Sequence, residues 1–218
     1  MSLPEVVSRE VWLVARKRFL ATEKQLTRAR DEVNAERRRL PMTRVDDGYV
    51  FDTAAGPRSL LDLFEGRRQL IVYHAMPFRD ADSFCKSCSF WIDNIGHPAH
   101  LNARDTSLVI DCPEPLDKIQ KVVDRMGWGR LTWTSSAGTD FYRHLWVTPD
   151  GAREALPPGV SAFLRDGDAV FHTYSTHQRG SELLNGTYMY LDLTALGRQE
   201  DGLSWTQSWL RYHDEYDG

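Results

Sequence analysis

A chain of 218 residues can bury one substantial core with appendages, or two small domains. With 41% hydrophobic and 27% charged residues it has the makeup of a globular protein in water, and no apolar run reaches the ~20 residues of a membrane span. Its net charge of −4 hides an asymmetry. Residues 8–41 hold ten Lys and Arg against five acids, a net +5, which leaves −9 on the rest. An arm and a body of opposite sign should attract each other, within or between subunits.

The positive arm reads as one helix, with Ser8 as N-cap and Pro41 as the stop. Trp12, Ala15, Phe19, Thr22, Leu26, Ala29, Val33 and Leu40 recur in steps of three and four, a heptad-like seam with a gap near Glu36. At 1.5 Å per residue this is roughly 50 Å of helix, more than one small domain can cover, so a homo-oligomer through this helix is expected. The positive charges are interleaved with acids and no reader motif accompanies them, which argues against nucleic acid as a partner.

Past the arm, Gly48-Tyr-Val-Phe51 predicts a strand, Gly56-Pro57 a turn and Ser59 the opening of a short helix. Residues 69–75 form an uncharged run of β-formers, the pattern of a strand buried on both faces. A polar loop follows, and then Cys85 and Cys88, three apart on the first turn of a helix that Gly96 and Pro98 end. Thr106 to Asp111 predicts a second buried strand, and Pro115 to Met126 a helix closed by Gly127. Residues 131–147 read as a strand end, a loop and a short helix. Val160 to Leu164 and Ala169 to Tyr174 predict a hairpin turning at Asp166-Gly167, with His172 and Tyr174 on one face. A helix or turn over residues 180–193 and a docked amphipathic helix carrying Trp205, Trp209, Tyr212 and Tyr216 complete the chain. Strands alternating with helices imply a parallel central sheet.

A strand, a loop and a Cys-x-x-Cys at a helix start is the context in which that motif reads as redox. Three cysteines cannot make a disulfide scaffold, and charges occupy the N-terminal stretch where a signal peptide has its apolar core. Both point to a reducing, cytoplasmic compartment. Cys112, at a strand end, reads as an inert buried thiol. Only a thiolate attacks a disulfide, and a helix N-terminus with Lys86 beside it favours the anion, while Asp80 and Asp82 oppose it. Cys85 is therefore the expected nucleophile and Cys88 the resolving thiol. His74, Arg104 and Trp91 are candidate supporting residues. His74 could face the cysteines or sit hydrogen-bonded in the core, Arg104 could pair with Asp105 or meet an anionic substrate, and Trp91 could be core or line a groove.

The element order resembles the thioredoxin-like fold in its peroxiredoxin and thiol-reductase form over about residues 48–195. Leu40-Pro41, Tyr49-Val-Phe-Asp52, Cys85-Lys-Ser-Cys-Ser-Phe-Trp91, His100-Leu-Asn-Ala-Arg-Asp105, Ser161-Ala-Phe-Leu-Arg-Asp-Gly-Asp168, Phe171-His-Thr-Tyr-Ser175 and Asn185-Gly-Thr-Tyr188 resemble one bacterial family of unknown function, described as dithiol-disulfide oxidoreductases or isomerases. The resemblance implies an α/β protein with a central mixed sheet flanked by helices, a long N-terminal helix and a C-terminal helical tail. Its divisions would be a helical arm (1–41), a thioredoxin-like domain (42–200) and a tail (201–218) packed on the domain or a partner subunit. It also implies dithiol-disulfide exchange without an organic cofactor, acting on a thiol- or disulfide-containing protein or small molecule with a separate electron donor. Here Phe84 precedes the motif and Lys86-Ser87 fill it, where thioredoxin has Trp and Gly-Pro. Pro77 and Ser83 lie eight and two residues before Cys85, unlike the peroxiredoxin spacing. The place of thioredoxin's substrate-facing cis-proline falls at Val160 or Ser161, which makes Ser161 a further candidate.

Two other classes compete. Cys85, Cys88, His97 and His100 are four ligand types at a spacing that a zinc or copper site could use. A non-catalytic interaction module is the third reading.

Overall fold

The computed structural model describes residues 3–46, 48–80, 83–145 and 157–216. Helix α1 (Arg9–Arg37) starts where Ser8 Oγ accepts the Val11 N–H at 3.4 Å. It stops short of Pro41 in two turn-type bonds, Arg39 N–H to Glu36 and Leu40 N–H to Arg37, since the residue before a proline avoids the helical region. No residue of α1 is buried, and Trp12, Phe19, Leu26 and Val33 are each 52–71% exposed.

Strands β1 (Thr43–Arg44), β2 (Val50–Phe51) and β3 (Arg58–Ser59) are two residues each, and β2 pairs with β3. Ser59 thus ends a strand rather than opening a helix. Its hydroxyl and amide donate to Asp62, which leads a single 3₁₀ turn, Asp62–Phe64.

The six-stranded sheet has the order β1-β8-β7-β4-β5-β6. Strand β4 (Gln69–His74) leads to helix α2 (Lys86–Asp93), and the short α3 (Ala99–Asn102) leads to β5 (Thr106–Cys112). Helix α4 (Leu116–Arg125), β6 (Thr132–Ser135) and α5 (Phe141–His144) follow. β4, β5 and β6 run parallel, β7 (Gly159–Asp166) lies antiparallel beside β4, and β8 (Ala169–His177) lies antiparallel beside β7. The fold is α/β and thioredoxin-like, with a mixed central sheet and the Cys-x-x-Cys helix following its inner strand. The hairpin turns at Gly167-Asp168, one residue later than Asp-Gly patterning suggests, with Gly167 supplying φ +56°.

Alternation along β4 sorts the core. Leu70 and Val72 join Phe51, Val109, Phe141 and Phe163 on one face. Tyr73 joins Phe84, Cys85, Cys88, Ile92, Trp128 and Trp133 on the other.

After β8 come a 3₁₀ segment (Gln178–Leu184) and α6 (Gly186–Leu191), whose N-cap Asn185 accepts the Tyr188 N–H at 3.0 Å. The expected amphipathic tail helix does not form. Residues 201–216 run through turns, with one 3₁₀ turn at His213–Glu215. Side-chain bonds hold this stretch instead: Glu200 Oε1 accepts from Tyr188 Oη, the Gln207 amide and Trp209 Nε1 at 2.8–3.0 Å. Trp146 and Val147 lie outside the described residues.

Candidate active site

β4 delivers the chain to the end of the sheet where the cysteines sit. Cys85 is the N-cap of α2, in extended backbone, and its Sγ accepts the Cys88 N–H at 3.3 Å, the place a serine or aspartate oxygen takes in an ordinary cap. Cys88 stands one turn in, fully buried, and its Sγ accepts the Met76 N–H at 3.4 Å. Tyr73, ending the buried run, reaches Cys88 with its hydroxyl. Cys85 is 6% exposed. All three cysteines are thiols.

The two sulfurs divide chemically. Donation from the Cys88 side chain, then from the Cys88 and Ser87 amides, with Arg79 adding positive potential, brings the Cys85 thiol down to about 6 against the opposing pull of burial. Burial pushes Cys88 well above the usual thiol range, so it keeps the proton it offers to Cys85. Burial raises Cys112 too. It is 3.6 Å from the Met76 carbonyl, an inert thiol as its position suggested. Asp80 is described; Asp82 lies outside the described residues.

The other candidates distribute unevenly. Lys86 Nζ pairs with Glu215 at 3.1 Å, and Arg79 is the cation among the leading contributions that lower the Cys85 thiol. Trp91 is both core and groove, 8% exposed, with Nε1 donating to the Ser181 carbonyl at 3.3 Å and a ring edge on a cavity. His74 points away from the cysteines because it alternates with Tyr73. It shares a 2.8 Å hydrogen bond with Ser161 Oγ, packs on Phe141 and Tyr142, and burial drives its pKa down to about 3. It is the hydrogen-bonded core histidine of the two readings. Ser161 lies on that same face, bonded also to Ser175 Oγ at 2.7 Å, and so does not face the thiols. Its neighbour Val160 pairs with Tyr73 and packs on the cysteine side.

Arg104 precedes β5 at the far end of the sheet from Cys85, and the Asp105 carboxylate takes the Arg68 amide at 3.1 Å. His172 and Tyr174 do not share a face. A bulge opposite Ala162/Phe163 leaves Thr173 without a β7 partner, so His172 lies on Phe163 while Tyr174 pairs with Ala162 under the Arg37 guanidinium. The four-ligand metal set is not assembled. Cys85 and Cys88 begin α2 and His97 and His100 lie exposed beyond its other end, and no cluster of three or more His, Cys, Asp or Glu with metal-holding geometry occurs among the described residues.

Two features escaped sequence reasoning. Tyr73 is one, although period-two alternation places the residue before His74 on the cysteine face. The other is a cavity of about 520 Å³ beside the motif, lined in part by Tyr73, Met76, Ser87 and Trp91 and closed by residues from beyond β8. No short-range signal marks it.

Compared with curated proteins, the sequence has no match. Solved structures similar to it include a secreted Mycobacterium tuberculosis disulfide oxidoreductase, 15% identical over 63% of this chain and 92% of that one, with a TM-score of 0.37. Xanthomonas campestris peroxiredoxin Q is 8% identical over 67% and 90%, with a TM-score of 0.45. A yeast mitochondrial 1-Cys peroxiredoxin is 15% identical over 70% and 78%, with a TM-score of 0.40. No helix among the described residues is long and apolar enough to cross a membrane. A family model matches residues 1–216, and the chain belongs to that family, described as "Bacterial protein of unknown function (DUF899)".

Proposed function

We propose that this protein is a dithiol-disulfide oxidoreductase or isomerase in which Cys85 is the nucleophile and Cys88 resolves the mixed disulfide. The observation that carries the reading is the placement of the two sulfurs: Cys85 caps α2 and accepts the Cys88 N–H at 3.3 Å, which favours its thiolate, and Cys88 stands fully buried one turn away, which favours its neutral thiol. Attack on a substrate disulfide removes the charge from Cys85, which no longer needs the Cys88 proton. Cys88 then gives up that proton to water and attacks Cys85 Sγ, breaking the mixed disulfide so that the remaining substrate sulfur leaves as a thiolate, with Tyr73 and the Met76 amide steadying the transient charge on Cys88.

The partner is a thiol- or disulfide-bearing molecule, with a separate electron donor and no organic cofactor. The arm-body-tail division is part of the reading. So are a reducing cytoplasmic location, which suits a chain with too few cysteines for a disulfide scaffold, and a homo-oligomer, supported by the exposed heptad face of α1 and the opposite charge of the body.

The test is a redox titration of metal-free protein against a glutathione series, read by alkylation and intact mass. A reversible two-electron Cys85–Cys88 couple between roughly −120 and −300 mV is the expected result. If no such disulfide forms under any poise, the proposal fails.

A further inference from the structure

The cavity beside the motif is built mostly by chain that follows the last strand. Gln178, Ser181, Tyr188, Trp205, Thr206 and Gln207 form its outer side, and Tyr73, Met76, Ser87, Trp91 and Pro158 its floor. Met76 belongs to both cavity and thiol, since it lines the space and its Sδ lies 3.7 Å from Cys85 Sγ.

The chain after β8 forms a wall tied to α2 and its flanks at five places, two of them between residues that line the cavity. Ser87 Oγ donates to Gln207 Oε1 at 2.7 Å, Trp91 Nε1 to the Ser181 carbonyl, Lys86 to Glu215, and Tyr212 Oη to the Phe84 carbonyl. The Thr187 amide donates to Asn94 Oδ1 at 2.8 Å. With Cys85 only 6% exposed, a disulfide on the surface of a folded domain would have to pass this wall to touch the sulfur. Neither cysteine lines the cavity, and a small molecule seated there reaches the sulfur past Met76 alone, an unbranched side chain with three rotatable bonds; about 520 Å³ falls in the roughly 300–1,000 Å³ range of small-ligand sites.

The rim charges cancel. Arg198 is held by Asp192 at 2.7 Å and shares Glu182 with Arg179, while Glu200 is spent on three hydrogen bonds. Trp91, Tyr188 and Trp205 supply the aromatic part of the lining. Such a lining suits a compact, net-neutral molecule rather than a polyanion.

We propose that this cavity is a docking site for low-molecular-weight, net-neutral disulfides, and that residues 178–216 wall the cysteines off from folded proteins. The assignment rests on the dithiol chemistry proposed above. In the step, the Cys85 thiolate attacks one sulfur of R–S–S–R, the substrate S–S bond breaks, and RS⁻ leaves and is protonated by water. Cys88 loses its proton to water as its sulfur attacks Cys85 Sγ, and the second RS⁻ leaves. Two electrons pass from the pair to the substrate, which ends as two thiols, and the protein ends as the Cys85–Cys88 disulfide.

The experiment measures single-turnover oxidation of the reduced full-length protein by cystine, by hydroxyethyl disulfide and by insulin. Each rate is divided by that of dithiothreitol with the same compound. The small disulfides should lead insulin by roughly 100-fold or more, because the wall is a steric barrier to one class only. Thr206→Trp, which fills the mouth, should slow cystine about tenfold, and Trp205→Ala, which opens it, should speed insulin. Normalised insulin rates equal to those of cystine, or a cystine rate untouched by Thr206→Trp in a folded variant, would overturn the cavity assignment. Diamide separates the two levels of inference. If diamide forms the Cys85–Cys88 disulfide while small disulfides hold no advantage, only the cavity assignment falls. If diamide forms none, the dithiol reading falls and takes the cavity with it.

Discussion

Replacing Cys88 by alanine tests what makes Cys85 acidic. The lowered pKa of about 6 draws first on the Cys88 side chain, then on the Cys88 and Ser87 amides and on Arg79. Alanine removes the thiol donor and keeps both amides. A hydrogen bond to a charged acceptor contributes about 1.5–3 kcal/mol, and 1.36 kcal/mol corresponds to one pKa unit, so the Cys85 midpoint should rise to between ~7 and ~8. The remaining amides and Arg79 keep it below the ordinary thiol value of about 8.5. Serine at the same place keeps an O–H donor and should leave the midpoint near 6, although neither variant can form the disulfide. Lys86→Gln should also leave it there, because Glu215 already holds that ammonium. The assay is the pH dependence of Cys85 alkylation by iodoacetamide, with site occupancy read by mass spectrometry. A Cys88→Ala midpoint still near 6 would refute the donor role of the Cys88 thiol and assign the acidity to the helix start.

Tyr73→Phe removes the hydroxyl that meets Cys88. With one hydrogen bond lost from a developing thiolate, closure of the mixed disulfide should slow by about tenfold while the first attack is unchanged, seen as accumulation of the Cys85 adduct in quenched samples. Asp111 is buried with Thr134 and Ser136 hydroxyls on its oxygens at 3.0 and 2.7 Å, and burial lifts its pKa to about 7. Folded Asp111 therefore keeps a proton that the unfolded chain releases near 3.9. Its contribution to stability is full below about pH 4 and is lost as pH rises through about 7. Asp111→Asn should remove this dependence, so its urea midpoint should gain on the wild type between about pH 5 and about pH 8; a constant difference would count against the buried acid. Finally, Trp12→Asp with Phe19→Asp should convert the oligomer expected of α1 into a monomer by sedimentation equilibrium; wild-type protein that is already a monomer at ~50 μM would end the heptad argument.

What the sequence determined by itself was local. Ser8 caps α1 because a hydroxyl before a periodic run satisfies free amides. β4 forms because an uncharged β-branched stretch must be covered on both faces. Cys85 caps α2 because the strand and loop before it place the motif at a helix start. The hairpin was also legible, to within one residue of its turn. What only the tertiary structure decided depends on partners far away in the chain. Lys86 is neutralised by Glu215, 129 residues on, so its charge could not be assigned from its place beside Cys85. One bulged residue at Thr173 turned His172 and Tyr174 to opposite faces, and a bulge leaves no mark in an alternating pattern. The tail has aromatic residues at helical spacing yet takes an irregular path, in which Glu200 and the Phe84 carbonyl at the start of α2 accept its polar groups. That path lines the cavity beside α2, which is why the motif could be read from a short stretch of sequence while the cavity needed the whole fold.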